Sequence, residues 1–235
     1  MKLTILIFNM IFTISIAQCQ ITGIYTLNKH YKNIECNIYF YKSGSYFIEL
    51  SESVTSDIEE SLVLSYGKYT LINNEVALID NVHNYKMQLV VDNKTLKVKQ
   101  AFGFLINNSF VFCSSITNSE PKFLDPNINA LMLQKERKDY KKSHKTLAPL
   151  NFGVFENEQG FKLNIQQNHK YKLEFKNIIL SEGEWERNSN ELELKDLNLK
   201  HSFYILVEEK ALISRLLPGE YKGCSLIKKE LGFTK

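Results

Sequence analysis

Four cysteines, five histidines and a scatter of acidic residues are the groups with which this 235-residue chain could bind metal or attack a substrate. Their spacing removes most of that chemistry. Cys36, Cys113 and Cys224 stand too far apart for a C-x-x-C metal or redox pair. A disulfide between Cys36 and Cys113 is possible, and it would close the N-terminal half; three buried thiols are the alternative. His83 and His201 each follow a turn, His169 sits in a hairpin and His30 in a loop. None has a second histidine or acid at ligand spacing, so no metal site is expected. Ser65 and Ser181 lead into strands and not into a strand-to-helix turn, which excludes a nucleophile elbow. Glu182, Glu184 and Glu186 alternate along one wet strand face. Phosphate loops and dinucleotide fingerprints are absent, so no cofactor is expected. What remains is binding. Tyr46, Tyr69, Tyr171 and Trp185 are the aromatic side chains placed to line a ligand pocket, or else to anchor a core.

The elements that carry these residues come in two copies. "LSYGKYTLINNEVALID" from Leu64 is spelled again, in altered form, as "LSEGEWERNSNELELKD" from Leu180. Gly67 and Asp80 fall on Gly183 and Asp196, and Tyr69 falls on Trp185. The match spreads outward: Tyr46 lies on Tyr171, Tyr85 on His201, and "GIY" at Gly23 answers "GVF" at Gly153. Two copies are too few for a solenoid. Within each copy the period is two: Phe161, Leu163 and Ile165 alternate with Lys162 and Asn164, as in an antiparallel sheet covered on one side. Turn material separates the runs at Lys42-Ser43-Gly44, Asn73-Asn74, Asn168-His169 and Ser189-Asn190. The reading is all-β: two tandem antiparallel meanders of about eight short strands each, curled into barrels or half-barrels that hide their edges. "SESVTSDIEES" after Leu50 is an acidic hairpin extension that the second copy lacks.

Residues 1–17 have the anatomy of a signal peptide, with Lys2, an apolar run and Ser15-Ile16-Ala17 as a cleavage site. The expected modules then run over 18–113 and 151–235, and the product is secreted or periplasmic. Lipidation at Cys19, giving an outer-membrane lipoprotein, is the alternative, although Gln18 precedes the cysteine. Net charge falls from +3 to +2 once Lys2 is removed, so no global field points to nucleic acid. Residues 114–150 form a linker holding Pro121, Pro126 and Pro149. Asp125-Pro126 starts a helix of about 126–142, with Ile128, Leu131 and Met132 on one face. Its basic end, "QKERKDYKKSHK", is either a solvated helix end or a patch making peripheral contact with an anionic membrane or polymer. Asn93 and Asn107 fit glycosylation acceptor patterns that would mean nothing in a bacterial chain.

Gly23-x-Tyr25, Lys42-Ser43-Gly44-Ser45-Tyr46, Ser65-x-Gly67-x-Tyr69 and Asn74-x-Val76-x-Leu78 resemble the small lipocalin-like barrels of envelope proteins. The second copy continues the pattern through Ser181-x-Gly183-x-Trp185 and Pro218-Gly219. The likeness is to the N-terminal domain of the NlpE-like copper-resistance lipoproteins, present here twice. That family carries a C-x-x-C; Asn33 stands at the first position here and Cys36 at the second. The resemblance implies lipocalin-like barrels, and it admits an envelope-stress or copper-sensing role. The residues themselves favour a non-catalytic binding protein, for a small apolar ligand in a barrel mouth or for an envelope protein. A small secreted hydrolase is the remaining alternative.

Overall fold

Alternating strands with one apolar face close on themselves when a sheet has enough members to bring its edges together. Both copies do so. The computed structural model describes residues 21–29, 31, 34–55, 58–117, 119–120, 130–143, 147–209, 211–214, 217 and 224–228. The leader at 1–17, Cys19, His30, Asn33, Pro126, Ile128 and Pro218-Gly219 lie outside them, as do the side chains of Met132 and Cys224.

The first copy runs β1 (Gly23–Leu27), β2 (Ile34–Phe40), β3 (Ser45–Thr55), β4 (Ile58–Ile72), β5 (Glu75–Asp80), β6 (Lys86–Asp92), β7 (Thr95–Gln100) and β8 (Ser109–Ser114). A helix, α1 (Ala130–Ser143), follows. The second copy runs β9 (Gly153–Glu156), β10 (Phe161–Ile165), β11 (Lys170–Phe175), β12 (Ile178–Asn188), β13 (Glu191–Asp196), β14 (Ser202–Val207), β15 (Ala211–Ser214) and β16 (Cys224–Lys228). Each set is a closed, wholly antiparallel eight-stranded barrel with neighbours in sequence order, sealed by β1–β8 in one and β9–β16 in the other. The acidic stretch after Leu50 lengthens β3 and β4, which pair out to Thr55 and Ile58. The second copy turns instead at Lys176-Asn177, both at positive φ.

The repeated phrase spells a bulge. In β4 and β12 the alternation breaks, because Leu64 and Ser65 are both buried, and so are Leu180 and Ser181. The register explains it: Ile48 pairs with Ser65 and Glu49 with Val63, while Leu173 pairs with Ser181 and Glu174 with Ile179. Leu64 and Leu180 are the extra residues of two equivalent β-bulges, which bend a strand and re-aim its side chains. Three residues on, Gly67 pairs with Tyr46 and Asp80, and Gly183 with Tyr171 and Asp196. A Cβ on Gly67 would stand 2.0 Å from the Ile79 carbonyl oxygen, and one on Gly183 2.0 Å from that of Lys195. No side chain fits there.

Close packing fills both bores. Ile38, Phe40, Leu64, Leu78, Met87, Leu96 and Phe110 are fully buried in the first barrel; Leu163, Ile165, Leu173, Leu192, Leu194, Ile205 and Leu226 are so in the second.

Gly67→Ala and Gly183→Ala should each lower unfolding free energy by about 3 kcal/mol or more, since backbone rather than side chain must give way. Gly103→Ala, whose Cβ would meet only the mobile amide of Asn198 at 2.9 Å, should stay within about 1 kcal/mol. Urea denaturation of the full-length variants measures both.

Candidate functional site

Beneath each glycine lies a buried hydroxyl–carboxylate chain. The Tyr46 hydroxyl is 2.8 Å from Ser65 Oγ, which donates to Asp80 Oδ2 at 2.8 Å. Asp80 Oδ1 accepts from the backbone N–H groups of Val82 and His83 at 2.9 and 2.7 Å. The second barrel repeats the chain: Tyr171 to Ser181 at 2.7 Å, Ser181 to Asp196 at 2.5 Å, and Asp196 Oδ1 to the N–H groups of Asn198 and Leu199 at 2.8 and 2.6 Å. Burial drives the Tyr46 and Tyr171 hydroxyls well above the usual tyrosine range. It also raises Asp196, against the pull of Ser181 and the backbone amides. The serines are wholly buried, and their protons are held by a carboxylate. This geometry fixes a turn; it gives no substrate a route to a nucleophile.

Tyr46 and Tyr171 are therefore core side chains, although their types could line a pocket. Tyr69 and Trp185 close equivalent barrel ends. Tyr69 Oη donates to the carbonyls of Ile21 and Tyr41, and Trp185 Nε1 to that of Gln166, the position aligned with Tyr41. Trp185 also stacks on His169 at 4.5 Å. The possible disulfide is not formed. Cys36 and Cys113 are free thiols, one buried in the first barrel and one exposed on β8. Burial pushes the Cys36 thiol far up, so it is no thiolate. Among the described residues no group of three or more histidines, cysteines or acids is placed to hold a metal.

The turns that the two aspartates organise meet each other. His83 stacks on Tyr85 at 5.9 Å, and Tyr85 faces His201 at 5.8 Å and Phe203 at 6.0 Å across the junction. Gln100 Nε2 donates to the Leu199 carbonyl at 2.9 Å, and Lys176 pairs with Glu52. The helix completes the arrangement. Arg137 and Lys141 both bind Glu191, whose side chain is 1% exposed, and the Arg137 guanidinium lies 3.4 Å over the Tyr204 ring. Among the described residues α1 docks by charge and cation–π contact; Leu131, one of the three residues expected on its apolar face, is 78% exposed. Between α1, the Val82–Asn84 turn and residues 200–204 opens a cavity of about 640 Å³. Arg137, Lys138, Lys141 and Lys200 line it with His83 and His201, and no carboxylate does.

Single-sequence reading missed this cavity. It saw the basic end of the helix and both histidines, but not that they converge; the only signal was the basic run itself. No protein-family profile matches the chain, and no curated protein matches it. Among solved structures the chain matches the crystal structure of the Cpx pathway activator NlpE from Escherichia coli. Identity is 10%, with 88% of this chain and 91% of that chain covered, at a TM-score of 0.25. The match is to the family that the residues resemble; a TM-score that low fixes neither barrel placement nor function.

Ser65→Ala and Ser181→Ala each leave a buried tyrosine hydroxyl and a carboxylate short of a partner, so each should lower stability by about 1–3 kcal/mol. Equilibrium unfolding reads the loss.

The junction is also sensitive to acid. Burial, with His83 as the next contributor, pushes His201 down to about 4, and Asp80 opposes this. Burial lowers His83 too, again opposed by Asp80. Between the free-histidine value of about 6.5 and the folded values, the unfolded chain binds more protons, so stability falls as pH falls through that window. Asp196, raised by burial, contributes with the opposite sign nearer its own range. The melting temperature should therefore drop between pH 7 and pH 5, and His201→Asn should flatten that slope. An unchanged slope would remove His201 from the account.

Proposed function

We propose that this chain is an exported, non-catalytic binding protein that holds its ligand or partner at the junction between the barrels and not inside a barrel. The observation that carries the reading is the contrast between two bores lined by fully buried apolar side chains and an open, cation-lined cavity between the barrels. Ligand pockets are typically about 300–1,000 Å³, so this cavity has room for a small molecule. Export rests on the Met1–Ala17 pattern. The sealed Tyr–Ser–Asp chains support the absence of catalysis: the serine and carboxylate that would suggest hydrolysis hold up a turn instead. A thiol-based copper or stress response gains no support at Cys36, which is buried and protonated.

Thermal shift and Trp185 fluorescence against two panels test the reading. Fatty acids and other apolar probes should change neither signal. Small polyanions at millimolar concentration should raise the melting temperature by about 2 °C or more, the shift expected when a ligand binds only the folded state. Saturable uptake of an apolar probe, with an inert polyanion panel, would place the site in a bore and end the proposal.

A further inference from the structure

We infer that the junction cavity is a site for a small anion bearing two or more phosphate groups, a ligand class that rests on the reading above and makes it specific. Four permanent cations line it: Arg137, Lys138 and Lys141 from α1, and Lys200 from the turn before β14. Glu191 lies beneath α1 and offsets one of them. Counting the lining side chains and Glu191 alone, three positive charges are left over, with the buried Asp80 behind His83 and His201 opposing them. They face a concave space, where field lines concentrate and anions gather.

The geometry favours phosphate over carboxylate. An arginine fork matches a planar carboxylate with two parallel bonds, but Glu191 already fills that of Arg137, bonding both Nε and Nη2. The cations left to a ligand are lysine ammonium groups on two separate elements. Ammonium groups act as point charges with rotatable donors, and they suit a tetrahedral anion with oxygens on several sides. Among the described residues neither Lys138 nor Lys200 has an ion pair. Ser202 and Asn84 add neutral donors to the same lining. The volume exceeds that of one phosphate, so either a chain of phosphates or a phosphorylated organic body fits.

Lys200 sits at φ +53° in the left-handed region, as does its counterpart in the first barrel, Asn84, at +59°. Lysine is accepted at such a backbone elsewhere in this chain, at Lys176. The two copies thus differ here in charge rather than in fold: the first barrel brings a neutral amide to the cavity and the second an ammonium group.

Titration calorimetry of the full chain at about 0.1 M salt, where surface attraction is screened beyond roughly 10 Å, tests the inference. The probes are inorganic tripolyphosphate, citrate and sulfate; flotation with phosphatidylglycerol and with phosphatidylcholine vesicles tests the headgroup source. Tripolyphosphate should bind saturably and more tightly than citrate or sulfate. The double variant Lys138→Gln/Lys200→Asn should weaken it at least tenfold. Lys200→Asn alone should keep or raise the melting temperature, so lost binding cannot be blamed on lost folding. Lys97→Gln, on β7 away from the cavity, should change nothing. Vesicle binding that needs phosphatidylglycerol and fails in the double variant assigns the phosphate to a lipid headgroup; tripolyphosphate binding without it assigns a soluble ligand. Citrate binding in place of tripolyphosphate overturns the phosphate assignment and leaves the junction reading standing. Binding that survives in the double variant overturns the site. No anion binding at all overturns both.

Discussion

A carboxylate shut inside a barrel wall must have its oxygens satisfied, and the rest of this molecule is arranged around that requirement. Asp80 and Asp196 each take one serine hydroxyl and two backbone N–H groups. The serine can reach only because a bulge turns it inward beside the leucine that already points there. Ser65 and Ser181 in turn meet tyrosines on the neighbouring strand, each paired with a glycine whose place no side chain can take, because the carbonyl of Ile79 or Lys195 stands against it. Bulge, glycine, tyrosine, serine and aspartate are thus one device, and changing any member strands the others. The device also sets direction. By accepting the second and third amides beyond it, each aspartate forces a tight turn. After the first of these turns Tyr85 points back into its barrel, where its hydroxyl donates to the Leu64 carbonyl.

The two turns meet at the junction. Tyr85 and His201 occupy the same place in the two copies, and their rings contact each other. Two further contacts, Gln100 to Leu199 and Lys176 to Glu52, are not equivalents of one another. A covalently joined pair need not stay symmetric, and this one has diverged. Glu75 in the first barrel is exposed and pairs with Lys99 across the surface. Glu191, its counterpart, is covered by α1 and bonds two of its basic residues. One barrel carries the helix and the other leaves its edge bare, so the groove between them gains a basic wall on one side only.

How far this could be read from the sequence depends on range. The strands, the two copies and the equivalence of Gly67 with Gly183 were legible, because alternation, turn residues and repeated spelling are local signals. The members of the hydroxyl–carboxylate chain were all visible as matched pairs: Tyr46 with Tyr171, Ser65 with Ser181, Asp80 with Asp196. Their bonding was not visible, because it needs the inward-turned serine of a bulge, and two adjacent buried residues look like noise in a period of two. The choice left open for Tyr46 and Tyr171, pocket or core, could not be made for the same reason: residue type does not say whether a hydroxyl meets a ligand or a serine. The ion pairs of α1 with Glu191, a residue distant along the chain, were not visible either. Contacts of that separation leave no mark on either segment alone.

A filled barrel offers chemistry only on its rim and its outside, and rims are where turns concentrate polar and charged groups. Here the same turns that satisfy the two carboxylates also carry Asn84 and Lys200 to the border between the barrels. The cavity therefore needs both copies and the linker: remove either barrel or α1 and a wall is lost. Joining two is what turns a structural turn into the edge of a cavity. Exposed positions such as Lys138 and Lys200 can be substituted there without disturbing the buried chain that holds each barrel together.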